Sequence, residues 1–170
     1  MNTTNQDTSL SRAFDDQRYA WTRTQRVRRR LVAAEATLLT ALTAGVLFAS
    51  TAPGGPTGTY FLVLALGLCC FLPLHSMLNL GIRGLFDRGT GSLDEHQQRV
   101  RDRSTSAMRW GNAGLTLAAW FGGIMLGAAT GHTVLALYLG FLLWFVAGLL
   151  AYWHLAWTLP DEVIDPDPFA

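Results

Sequence analysis

Apolar positions gather into four long runs, roughly Leu31 to Ser50, Tyr60 to Ile82, Trp110 to Ala129 and Thr133 to Trp157. A tilted helix needs ~20 such residues to cross ~30 Å of hydrocarbon, and each run is long enough. The connections at 51–59 and 130–132 are short and uncharged, and the first is rich in glycine and proline, so both predict hairpin turns. The expected fold is all-α: an integral membrane four-helix bundle made of two helical hairpins. Its parts are a polar arm over 1–30, a membrane domain over 31–157 with a hydrophilic loop at 83–109, and an acidic tail over 158–170.

The loop at 83–109 carries a helix start. Ser92 and Glu95 fit a capping box, Glu95 and Arg99 form a favourable i,i+4 pair, and no glycine or proline follows until Gly111. This predicts a third helix that begins near Leu93 and extends into the cytoplasm as a polar stalk. In the arm, Phe14, Arg18, Trp21 and Gln25 share a helical stripe, with Tyr19 and Val27 beside it, which predicts a weakly amphipathic helix on the inner leaflet.

Charge gives the pattern a direction. Half of the 170 residues are hydrophobic, 15% are charged, and all thirteen basic residues are arginine. None of them lies in either short connection, so the arm, the central loop and the tail are expected on the cytoplasmic side. The lack of lysine points to a GC-rich genome, and hence to a bacterial cytoplasmic membrane. Arg23, Arg26, Arg28, Arg29 and Arg30 precede the first run and suit a topology anchor facing anionic lipids. The arm of about 30 residues and the length of the first run argue against a cleaved signal peptide, whose apolar region is ~7 to 15 residues long.

Helix packing is expected through small residues, since lipid supplies no hydrophobic drive between spans. Ala119, Gly123 and Gly127 recur every four residues in the third run, and Gly140 and Gly148 serve the fourth. Trp110, Tyr152, Trp153 and Trp157 fit an aromatic belt at the inner interface. Pro73 interrupts the second run and predicts a kink. The adjacent Cys69 and Cys70 cannot close an unstrained disulfide with each other and read as small buried residues.

Candidate chemistry is confined to one layer. Counted inward at ~1.5 Å per residue, Asn112 lies ~3 Å deep, Asn79 and His154 ~5 Å, Glu35 ~6 Å and His75 ~10 Å. Glu35 is the only acid in any run, and His75 and Asn79 share a helix face at i,i+4. The five residues suit interhelical polar contacts, a ligand or proton site built on Glu35 and His75, or haem held by His75 and His154. No metal site and no cofactor is otherwise implied.

Two resemblances bear on these residues. Ala34 and Glu35 followed by Thr37 and Thr40 are similar to the first helix of small multidrug transporters, but there the glutamate sits near mid-membrane and the arginine bias is small. The segment from Leu93 through Asp94, Glu95, His96, Gln97 and Gln98 to Arg103 resembles a cytoplasmic loop of small four-span membrane proteins from GC-rich bacteria. That resemblance implies no activity.

Hydrolase, metalloprotease and phosphate-loop motifs are missing, and a net charge of +1 gives no nucleic-acid footprint. The expectation is a non-enzymatic accessory or regulatory membrane subunit that acts through association with another membrane protein or its own copies. A small transporter or ligand-binding protein using Glu35 and His75 is the alternative.

Overall fold

A computed structural model describes residues 14, 16–50, 58–89 and 93–161. Four helices follow one another: α1 (Gln25–Ser50), α2 (Gly58–Gly81), α3 (Glu95–Thr130) and α4 (Thr133–Thr158). Each contains a stretch long and apolar enough to cross a membrane, which makes the chain a multi-pass, all-α membrane protein. Most of the first connection, Ser92, which the sequence suggested as a helix cap, and most of the tail lie outside the described residues.

Two hairpins build the bundle, α1 with α2 and α3 with α4, and α1 joins them by packing on α4. One apolar core, with Leu39, Leu42, Phe71, Tyr138 and Leu142, fills the space between α1, α2 and α4. A second, with Leu31, Leu78, Ile82, Leu93 and Leu155, closes the arginine-rich end. α1 and α2 approach closely where Gly67 faces the Leu42 side chain, a place with no room for a Cβ.

The second hairpin turns at Gly131, whose φ of +71° is the left-handed conformation that ends a helix and favours glycine. Its amide bonds back to the Gly127 carbonyl at 2.9 Å. The small residues then do as predicted along most of the seam. A Cβ at position 140 would stand 3.0 Å from the Ala119 carbonyl oxygen, and one at 123 would stand 3.4 Å from that of Ala136. Gly148 departs from the expectation: it is exposed and nothing lies within 4 Å of its missing Cβ. A five-residue π turn, Ala118–Gly122, interrupts the regular winding of α3 halfway along the seam.

Several expectations need correction. The cap of α3 is Asp94, which accepts from the Gln97 amide at 2.7 Å while the Gln97 side chain accepts from the Asp94 amide. This is a capping box two residues later than the one read from Ser92; Asp is an equally good cap residue. Glu95 keeps its pair with Arg99 at 2.7 Å. The polar start of α3 is not a free stalk: Leu93 is buried, Val100 packs beside it, and Ser104 bonds to α4.

The arm is not one amphipathic helix. A 3-10 turn, Gln17–Arg23, is capped by Asp16 and broken at Thr24, whose ψ of 138° is extended. The turn folds over the end of α2 rather than lying apart from the bundle. There Phe14 fills the space above Gly84, and Thr22 is wholly buried with its carbonyl against Gly81. α2 runs through Pro73 as one helix. Cys69 and Cys70 are free thiols, and both are exposed on the helix surface rather than buried. Trp110 and Trp157 are exposed as belt residues should be, whereas Tyr152 and Trp153 turn inward.

Candidate functional site

Glu35 is the one acidic side chain of the described residues that is fully buried. It sits on the face of α1 that meets α2 and α4, between Leu31 and Leu39, each one turn away. Trp153 of α4 donates its indole N–H to Glu35 Oε2 at 2.6 Å. His75 of α2 places Nδ1 3.3 Å from Glu35 Oε1. The structure thus brings Glu35 and His75 together, and Trp153 of a third helix joins them.

Aromatic rings hold the imidazole. Phe71, one turn earlier on α2, stacks on His75 at 5.3 Å between centroids with the planes 17° apart. Tyr152 of α4 covers it from another direction at 5.1 Å. The His75 side chain keeps about a quarter of its surface open. The carboxylate and the imidazole thus face each other between three helices, with the Trp153 indole on the carboxylate's other oxygen.

The neighbouring polar groups form two further contacts. Tyr152 donates its hydroxyl to Asp87 Oδ1 at 3.2 Å, and Asn79 donates its amide to the other oxygen of the same carboxylate. Asp87 lies in the turn after α2, where Arg83 and Gly84 both take positive φ, of 55° and 61°, to reverse the chain. Asn79 thus joins Glu35 and His75 through Asp87 and Tyr152 rather than directly.

His154 belongs elsewhere. Its Nδ1 lies 3.0 Å from Ser104 Oγ, which also donates to the Ala151 carbonyl at 2.8 Å, and this ties α3 to α4. Asn112 is exposed on α3 and accepts only from Thr116, one turn on, at 3.2 Å. The expected layer of five is thus split three ways, because depth along a helix says nothing of the direction in which a side chain points. The two imidazoles proposed for haem sit in separate networks. Among the described residues, no three His, Cys, Asp or Glu side chains gather closely enough to hold a metal ion.

A second group at the same end was read only as an anchor. Arg28 is completely buried, and its guanidinium donates to the carbonyls of Ala156 at 3.2 Å, Pro160 at 3.0 Å, Arg23 and Leu159. It caps the carboxyl end of α4, where carbonyls lack helical partners and a positive charge is favoured. Asp161, just beyond, accepts from the Gln25 amide at the amino end of α1. Each helix end is closed by a charge from the other. Arg23 is likewise turned inward, donating to the carbonyls of Phe14 at 2.9 Å and Asp16 at 3.0 Å.

Comparison with protein-family models, curated proteins and solved structures finds no match to this chain. The functional reading therefore rests on its own residues.

Proposed function

We propose that the protein is a non-enzymatic subunit of the bacterial cytoplasmic membrane, with both termini in the cytoplasm, that works by associating with another helical membrane protein through α3. One observation carries this reading. The apolar half of α3 packs on α4, yet its Trp120, Ile124 and Met125 are each more than 60% exposed. A groove of about 700 Å³ runs between α3 and α4, floored by Gly123, Gly127 and Gly140 and walled by Trp120, Leu137 and Trp144. Small residues under large ones form the kind of surface on which membrane helices pack, through close van der Waals approach.

Extraction into lipid nanodiscs without detergent, followed by mass determination, tests the reading. A defined assembly larger than the 18.6 kDa chain supports it. A lone chain with lipid only argues against it.

The Glu35–His75 contact favours a second reading, in which the protein binds a proton or small cation at the arginine-rich end. A buried ionisable pair in a membrane bundle is costly to maintain and is commonly functional. Under that reading, Glu35→Gln and His75→Ala each abolish activity in cells while leaving protein level and fold intact. Wild-type behaviour of both variants in cells lacking the native copy would remove it.

A further inference from the structure

We propose that Arg26, Arg29 and Arg30 form a binding site for the phosphate of an anionic phospholipid. Of the five arginines between positions 23 and 30, Arg23 and Arg28 are used up inside the protein, as their carbonyl contacts show. The other three line a cavity of about 510 Å³ together with Gln25, Ala33 and Asp161. Positions 26, 29, 30 and 33 fall on one helical face, so the cavity follows from spacing as well as from coordinates.

Partnering separates this cluster from an ordinary solvated patch. The side chains of Arg26 and Arg30 have no ion pair or hydrogen bond among the described residues, although Asp161 lines the same cavity. The Asp161 carboxylate is engaged instead by the Gln25 amide. Arg29 is held in place, its guanidinium 5.1 Å above the Trp157 ring and its Nε 3.4 Å from the Trp157 carbonyl. Three cations and one carboxylate leave an excess of two positive charges. Guanidinium groups match phosphate oxygens in paired hydrogen bonds, which a carboxylate-free apolar ligand cannot use.

The surroundings select a lipid over free phosphate. The cavity lies beside exposed Trp157, a residue type that prefers the headgroup level. Below it, α1 exposes Ala33, Thr37 and Thr40 in succession. Both threonine hydroxyls donate back to their own helix, to Ala33 at 2.7 Å and Ala36 at 2.8 Å. That slope has no polar group left unsatisfied and suits an acyl chain descending from a headgroup at Arg26 and Arg30.

Native mass spectrometry of the full chain with phosphatidylglycerol and phosphatidylcholine tests the site. We expect one retained phosphatidylglycerol and no retained phosphatidylcholine. Arg26→Gln with Arg30→Gln should weaken retention about 30-fold, from about one kcal/mol per arginine at the membrane surface. Arg99→Gln with Arg103→Gln removes equal charge from α3 and should change nothing. If the first pair misfolds, the single substitutions should each weaken retention about fivefold. Equal losses in both pairs, no preference between the lipids, or displacement of the lipid by excess inorganic phosphate would each overturn the proposal.

Discussion

Trp153 and Glu35 are joined by a 2.6 Å hydrogen bond that closes α4 onto α1 across the buried heart of the arginine-rich end. The carboxylate has His75 as its other close polar neighbour. Replacing Trp153 by Phe keeps most of the ring but leaves Glu35 short of a donor. The expected cost is ~1–3 kcal/mol, the desolvation penalty of a buried group that has lost its partner. Unfolding of the variant in detergent measures it; a melting temperature equal to wild type would show that the bond contributes nothing.

Arg28 should matter more than any other arginine. Its planar fork reaches carbonyls of Ala156, Leu159, Pro160 and Arg23 together, and lysine, a single point donor, cannot. Arg28→Lys is expected to cost several kcal/mol, since most of those buried acceptors lose their donor. Arg30→Lys, at an exposed position, should stay within ~0.5 kcal/mol. Parallel thermal melts of the two proteins compare them directly, and equal stability would contradict the buried cap.

The α3–α4 seam makes a contrasting pair of glycines. A methyl at position 140 meets the Ala119 carbonyl at 3.0 Å, while a methyl at 148 meets nothing within 4 Å. Gly140→Ala is expected to push the helices apart at a cost of ~1–3 kcal/mol, and Gly148→Ala to be neutral or slightly stabilising. Chemical denaturation of both variants distinguishes them; the reverse order of stability would mean that the seam is placed wrongly.

Cys69 and Cys70 are exposed free thiols within an apolar helix. Maleimide reacts with a thiolate in contact with water, so a charged, membrane-impermeant maleimide should label neither in intact membranes. Labelling by the charged reagent would place this face of α2 against water.

Much of this architecture was legible because the governing patterns repeat along the chain. Run length fixes the spans, and spacing of four fixes the stripe of Ala119, Gly123 and Gly127. The Glu35–His75 contact was legible in part: the sole acid of the apolar runs must find a partner, but by depth alone His154, ~5 Å in, matched Glu35, ~6 Å in, better than His75 at ~10 Å. Asn112 and His154 were placed with them because residue counting gives height along the membrane normal, whereas one position more or less turns a side chain by ~100°. Arg28 escaped notice for a related reason: five arginines within eight positions look alike until packing decides which one faces the carbonyls of α4. Trp153 looked like a belt residue, although a buried indole needs an acceptor and Glu35 was within reach.

The open face of α3 is the basis of the functional proposal, so the most direct test asks what lies against it in the native membrane. A photo-crosslinking amino acid at position 124 of α3 can be compared with one at position 66 of α2, both exposed apolar sites. The account predicts a single protein adduct of defined mass from position 124, lost when Trp120 is changed to Ala, and only lipid adducts from position 66. Lipid adducts alone from both positions would contradict it.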